Sequence, residues 1–404
     1  MRLFQALSAI GLLFTAGLAS AQQPESVSEL IASQGLAAAQ EQLAALPDPG
    51  PDDLFALGGV RFLRGIEKTL QLRWQHNMVL KGVDMPVLRL PVPPNPSAKP
   101  FEPQLITGLF SRLLEDMKSS RAALAAIPPD AAIATRIDLA SLWFDVNMNG
   151  KRDAGEDVID LGARTLMSRA AIGTTAVADD LTVQFDTADR YWLMAYTDLL
   201  SGISEIVLAY DPTKAITQVL ESDTAMKDFL GDTPPANAMD MQFGGWVDQF
   251  AMAYGALNSP PDAGHTRAAH AYLLRMIKEN KSFWQVVATE TDNTDEWIPN
   301  RDQTAALGYE LPANAGKAWQ AVLQDAEDIL NGKLLISYWR ISPAGGVNVK
   351  KLFMDPPVVD IVTWVQGAGL LPYLERGPTA TPDSLNGFAR IMSGDTALFA
   401  ILFN

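Results

Sequence analysis

Residues 181–206, LTVQFDTADRYWLMAYTDLLSGISEI, contain both kinds of pattern from which the fold can be predicted. Residues 181–185 alternate apolar and polar side chains, which predicts a short β-strand with one buried face. Asp186 or Thr187 then stands at the N-cap position of a helix, and apolar residues recur after it at helical spacing. The apolar stripe is wide, so we expect this helix to lie at the centre of the molecule.

Helical patterns cover most of the chain on either side of this stretch, beginning with a capping-box spacing at Ser26 and Glu29. Strand patterns are confined to residues 137–144, residues 181–185 and a hairpin near 334–354, which surrounds a Pro-Ala-Gly-Gly turn. For residues 137–144 a helix is the alternative. The sequence therefore predicts a mainly α fold, a multi-helix globular domain with a small β component.

Seven prolines between Pro86 and Pro103 interrupt the helical patterns. A segment so rich in proline is extended, because each proline removes a backbone donor and fixes its own backbone angle. We interpret residues 85–103 as a linker or as a strap over the core. This divides the chain into an N-terminal helical segment, 22–84, and a main α-rich domain, 104–404.

The first 21 residues have the pattern of a secretory signal peptide. Arg2 supplies the positive start, residues 3–18 are almost wholly apolar, and Ala19-Ser20-Ala21 is a small-residue cleavage site. We predict cleavage after Ala21, a periplasmic or secreted protein, and no stable membrane anchor thereafter. The chain has no cysteine, which excludes disulfides and a lipid anchor on cysteine.

The net charge of −16 bears on the binding partners. A surface this acidic repels phosphate backbones, so we expect no nucleic-acid binding. The partner is otherwise unknown from sequence, and a carbohydrate or a protein ligand is compatible with it. Acidity that serves only solubility explains the charge equally well.

Residues 145–156, DVNMNGKRDAGE, have the spacing of a loop built to surround a hard cation. Such an ion needs several oxygen ligands that converge on one point, and a glycine at position 6 lets the backbone turn sharply between them. Gly150 occupies that position. The predicted metal ligands are the side chains of Asp145, Asn147, Asn149, Asp153 and Glu156 and the backbone carbonyl of Lys151.

This stretch resembles the calcium loop of EF-hand and dockerin proteins, over these twelve residues only. The resemblance implies Ca²⁺ as the cofactor. With three charged ligands we expect weak affinity, with a Kd on the order of 10⁻⁴ to 10⁻³ M. No second loop of this pattern occurs, although EF-hand sensors and dockerins usually pair two. A surface turn rich in Asn and Gly is the alternative. The layout of the whole chain also resembles exported bacterial proteins without known activity.

Catalytic motifs are scarce. His265 and His270 are five residues apart and so lie on different faces of a helix, and without cysteine a zinc site is not expected. The acidic segment 290–301, ETDNTDEWIPNR, is the best remaining candidate. Asp292, Asp295 or Glu296 could act as paired carboxylates while Trp297 stacks on a sugar. The alternatives are a solvated loop anchored by Trp297 and a second weak metal site.

Two functions remain open from the sequence. The favoured one is an exported calcium-binding, mainly helical protein with a structural or ligand-binding role and no recognisable catalytic motif. The alternative is a carbohydrate-active hydrolase that uses the carboxylates of residues 290–297.

Overall fold

A computed structural model of the protein describes residues 26–78, 88–161, 181–231 and 238–383, together with 386, 387 and 390. The predicted signal peptide lies outside the described residues. The predicted fold class is confirmed: the chain is mainly helical, with two small antiparallel sheets in the described part.

Three helices form the N-terminal part: α1 (Val27–Ala44), α2 (Pro51–Gln75) and α3 (Gln104–Ala125). The capping box of Ser26 and Glu29 is present at the start of α1. Helix α2 packs along α3 at very short range, because a Cβ atom added to Gly58 would lie 2.5 Å from Leu124 Cδ2. The close approach explains why glycine is needed inside α2 despite its cost to helix stability.

The described part of the proline-rich segment, residues 88–103, contacts the C-terminal end of α2. Arg73 donates a hydrogen bond to the Leu90 carbonyl (2.8 Å). The Asn77 side chain donates to the Asn95 carbonyl (2.8 Å) and accepts from the Asn95 N–H (2.7 Å). Leu88 is buried in the core between α2 and α3. The burial of Leu88 and these hydrogen bonds hold the segment against α2 and α3.

The first sheet pairs β1 (Ala134–Asp138) antiparallel with β2 (Thr182–Asp186), with Ile137 opposite Val183. The strand predicted at 137–144 is misplaced: β1 begins at Ala134 and ends at Asp138. Residues Leu139–Ser141 instead form a 3₁₀ turn, because the Asp138 side chain accepts a hydrogen bond from the Ala140 N–H (2.9 Å). A local side-chain acceptor thus competes with the sheet for the backbone.

Helix α4 (Thr187–Ala209) follows β2 directly and is the central helix of the fold, packed against α3 and α7. By length and composition it is the one described helix that could cross a membrane, but 61% of its most apolar window is buried inside the protein, as in a core helix. The other helices of this half are α5 (Thr213–Leu230), α6 (Ala238–Leu257), α7 (Ala263–Val287) and α8 (Ala315–Leu330).

The C-terminal part contains a small sheet of β3 (Ile336–Ser337), β4 (Gly345–Val347) and β5 (Leu374–Arg376) and two short helices, α9 (Val349–Met354) and α10 (Ile361–Gln366). The predicted hairpin pairs only two residues on each side, with Ile336 opposite Val347. Its second strand ends early because the Asn348 side chain accepts a hydrogen bond from Lys351 N–H and starts α9.

Candidate functional sites

The loop at residues 145–156 bends around Gly150, which has a φ of +71°. Asp145, at the first position, accepts hydrogen bonds from the N–H groups of Asn149 and Gly150, both at 3.0 Å. Asn147 Oδ1 accepts from Asn149 N–H (3.0 Å), and Asn149 Oδ1 accepts from Lys151 N–H (2.8 Å). The side chains at positions 1, 3 and 5 are therefore held inside the bend by the loop's own backbone.

Three of the predicted ligands meet at one atom. Asn147 and Asn149 both donate their side-chain amides to Asp153 Oδ2, at 2.6 and 2.7 Å. These two hydrogen bonds, more than the nearby Lys151 charge, hold the pKa of Asp153 below its ordinary value. Position 9 of the loop thus carries an ionised carboxylate at the point where positions 3 and 5 converge.

Glu156, at the last position, closes the loop from the buried side. Its Oε1 accepts a hydrogen bond from Val146 N–H (2.9 Å), and its Oε2 accepts one from Asp153 N–H (2.9 Å). Burial raises the pKa of Glu156, while the hydrogen bonds from the Asp153, Val146 and Asn147 backbone oppose that rise. Both carboxylate oxygens are therefore fixed in direction.

The two basic residues of the loop differ in their surroundings. Arg152 turns away: its Nε donates to Asp157 (2.6 Å) and its Nη2 to the Ala140 carbonyl (2.7 Å). Lys151 is exposed, with its N–H bonded within the loop. Because Arg152 is paired outside the loop, its charge offsets that of Asp145, Asp153 and Glu156 less than the sequence suggests.

Two residues of α2 hold the base of the loop and were missed from sequence. The buried Glu67 accepts a hydrogen bond from Asp145 N–H through Oε1 (2.7 Å) and pairs with Arg64 through Oε2. Gln71 donates to the Asp145 carbonyl (2.8 Å). The one signal in the sequence is that Glu67 interrupts an apolar stripe of α2, four residues after Leu63.

A second acidic site lies where β2 meets α4. The carboxylates of Asp186, Glu290 and Glu296 offer oxygen atoms that all lie within 4.8 Å of one another, so this group could hold a metal ion. Asp186 caps α4, Glu290 follows the end of α7, and Glu296 is bridged to Gln184 of β2. Two segments about a hundred residues apart in sequence thus bring their acids together.

Glu290 and Asp186 share a hydrogen bond, and burial followed by the Asp186 charge raises the pKa of Glu290 to about 8. Glu290 is therefore protonated at neutral pH and donates to the Asp186 carboxylate. Beneath them, burial and the charge of Asp186 raise the pKa of Asp189, whose side chain accepts the Asp186 N–H (2.9 Å). The proton on Glu290 relieves part of the repulsion among these carboxylates.

The residues singled out in the 290–301 segment are only partly brought together. Glu296 belongs to the acidic group, whereas Asp292 is exposed and Asp295 pairs with Arg136 at 2.8 Å. Trp297 packs against Phe185 and Trp192, with ring centroids at 5.8 and 5.6 Å. The tryptophan is partly buried and anchors the segment to the core.

Replacing Glu290 with glutamine is expected to stabilise the protein at alkaline pH. In the folded chain Glu290 keeps its proton up to about pH 8, while the unfolded chain loses it near the ordinary value of 4.5. The folded state then binds the extra proton, so stability falls as the pH rises between those values. Glutamine keeps the hydrogen bond without the charge, and we expect a gain of about 1–2 kcal/mol near pH 8 after solvent screening.

Urea unfolding of Glu290→Gln and wild type at about pH 5 and about pH 8 measures this effect. The control is Glu221→Gln, an exposed carboxylate on α5, which should leave the stability nearly unchanged at both pH values. A gain for Glu290→Gln that is equal at the two pH values would contradict a raised pKa.

No protein-family model matches the sequence, and neither the curated proteins nor the solved structures include a significant match to the chain.

Proposed function

We propose that the chain is an exported calcium-binding protein in which loop 145–156 holds one Ca²⁺ ion and stiffens a mainly helical scaffold. The observation that carries the proposal is that Asn147 Oδ1 and Asn149 Oδ1 are held inside the bend by backbone N–H groups, beside the Asp153 carboxylate to which both side-chain amides donate. Two further carboxylates, from Asp145 and Glu156, are fixed by backbone hydrogen bonds around the same bend.

The donor set favours calcium over transition metals. The ligands would be the side chains of Asp145, Asn147, Asn149, Asp153 and Glu156 and the carbonyl of Lys151, all of them oxygen donors. Oxygen ligands of this number suit Ca²⁺, whereas zinc and copper prefer histidine and cysteine. Each asparagine Oδ1 uses one lone pair on a backbone N–H, which leaves the second for the ion.

The attachment of the loop supports a structural role. Glu67 and Gln71 fasten its first residue to α2, and Trp143, two residues earlier, donates its indole N–H to the Ile31 carbonyl of α1 (2.7 Å). An ion that ties position 1 to position 12 would therefore also tie α1 and α2 to the first sheet. Export through the signal peptide agrees with weak binding, because calcium is abundant outside the cytosol.

Calcium at ~10 mM is expected to stabilise the wild type by about 1–3 kcal/mol, for a Kd of ~10⁻⁴ to 10⁻³ M. Glu156→Gln removes a negative charge and one carboxylate oxygen from the closing position, so it should abolish most of this stabilisation. Melting temperature in calcium and in chelator is the measurement, with Glu221→Gln as the matched surface control and magnesium as the control ion.

A wild type that melts at the same temperature in calcium and in chelator would overturn the proposal. The same conclusion holds if Glu156→Gln keeps the full calcium-dependent rise, because the effect would then come from another part of the surface.

The carbohydrate-active alternative has one observation in its favour. Asp186 and Glu290 are neighbouring carboxylates of which one is protonated at neutral pH, as a general acid must be. However, their oxygens lie within 4.8 Å, closer than the carboxyl separations of about 5–9.5 Å that glycoside hydrolysis uses. Hydrolysis of a sugar substrate that is lost in Asp186→Asn would favour this alternative over the calcium scaffold.

A further inference from the structure

One face of helix α6 packs against α5. A Cβ atom added to Gly255 would lie 2.9 Å from the Ala215 Cβ on α5. The pKa of Lys227 on α5 is raised by the hydrogen bond and charge of Asp223 and, from α6, by the charge of Asp248. Gly255 and Asp248 therefore lie on the side of α6 toward α5.

The opposite face of α6 carries an exposed apolar stripe. Its members are spaced alternately three and four residues apart, which puts them in one line along a helix. Phe243, Trp246 and Phe250 are 62%, 62% and 61% exposed. The stripe consists of Phe243, Trp246, Phe250, Ala253 and Leu257, all of them exposed.

The stripe and the apolar side chains beside it supply a substantial part of the area that a stable interface buries. With ~200 Å² per aromatic side chain, Phe243, Trp246 and Phe250 alone leave about 400 Å² of apolar surface open on each copy. Stable complexes bury about 800 Å² per partner, and a helix lying along the stripe would also cover Val247 and Tyr254 beside it. An apolar patch of about 400 Å² is as large as the largest patch on a typical monomeric protein, and such patches are often functional.

The 3-4 spacing favours a helix as the occupant over a flat surface, because it is the spacing of knobs that fit between the side chains of a facing helix. The charge of −16 disfavours an anionic membrane. No charged side chain lies in the stripe, so two copies of it can meet without repulsion at the contact. A self-complementary surface of this kind fits a two-fold dimer.

We propose that the protein is a homodimer in which α6 of one copy pairs antiparallel with α6 of a second copy along the stripe. The body joins α6 at its C-terminal end, where the Leu257 carbonyl accepts a hydrogen bond from Val359 N–H (2.9 Å). Antiparallel pairing places the two acidic bodies at opposite ends of the helix pair, about 30 Å apart for a helix of this length. Phe250, the middle member of the stripe, then lies near the two-fold axis.

Sedimentation of the purified protein tests the proposal directly. The wild type should sediment as a dimer and Phe250→Glu as a monomer. The melting temperature of Phe250→Glu should not depend on protein concentration, whereas that of the dimeric wild type should. Val362→Glu is the matched control, because Val362 is 74% exposed on α10 and should leave the dimer intact. A wild type that is monomeric throughout overturns the proposal, as does a Phe250→Glu variant that remains a dimer.

Cross-linking tests the antiparallel arrangement, since the chain has no cysteine of its own. Phe250→Cys should form a disulfide-linked dimer on oxidation, and a mixture of Phe243→Cys with Leu257→Cys should form the mixed dimer. Phe229→Cys, 90% exposed but on α5, should remain unlinked. The proposal is overturned if Phe229→Cys and Phe250→Cys form disulfide-linked dimers to the same extent. It is also overturned if the wild type binds phosphatidylcholine vesicles through the stripe without self-associating.

Discussion

Replacing Trp143 with alanine is expected to lower the free energy of unfolding by about 3–5 kcal/mol. The indole is buried in the core shared by α1 and the first sheet, and its N–H donates to the Ile31 carbonyl (2.7 Å). Its ring lies against Gly35, where an added Cβ would come within 3.1 Å. Alanine would leave a large cavity at this contact and remove the indole hydrogen bond to α1.

The Trp143→Phe variant separates the two contributions. Phenylalanine keeps most of the ring but no N–H, so it should cost about 1–2 kcal/mol, mainly for the lost hydrogen bond. Urea unfolding of both variants at fixed calcium is the measurement. A cost below ~1 kcal/mol for Trp143→Ala would mean that the indole is not the packed link between α1 and the base of the loop.

Local patterns predicted those parts of the fold that local chemistry decides. The capping box of Ser26 and the change from strand to helix at Asp186 lie where the sequence placed them, because each is set by residues three or four positions apart. The strand predicted at 137–144 was misplaced because Asp138 caps a turn with its own side chain. Competition between a side chain and a neighbouring strand is not visible in an alternation pattern.

The two candidate sites differ in how far they could be predicted from the sequence. All six predicted calcium ligands lie within twelve consecutive residues, so their spacing alone indicated the loop. The group of Asp186, Glu290 and Glu296 joins positions about a hundred residues apart, and only the packing of α4 against α7 brings them together. Glu67 was likewise hidden, since a glutamate on a helix carries no sign of the loop that it holds.

Asp198→Ala is expected to cost about 3–5 kcal/mol, because it removes the acid from a buried ionic network that joins three helices. Asp198 on α4 is fully buried and pairs with Arg275 of α7 at 2.5 Å and with Arg121 of α3 at 3.3 Å. Arg121 also pairs with Glu279 of α7 (2.8 Å). Without Asp198, Arg121 would keep one partner, and Arg275 would turn to solvent.

The size of the effect distinguishes a buried network from a surface pair. Asp223→Ala breaks the exposed pair with Lys227 on α5 (2.6 Å) and should cost no more than ~0.5 kcal/mol. A double-mutant cycle with Arg121→Ala should show coupling of about 1–3 kcal/mol, because the two side chains share one network. Urea unfolding of the wild type, Asp198→Ala, Arg121→Ala and the double variant gives the four free energies of unfolding that the cycle needs. If Asp198→Ala cost as little as Asp223→Ala, the packing of α3, α4 and α7 would rest on apolar contacts alone, and the network would only fix how the helices are aligned.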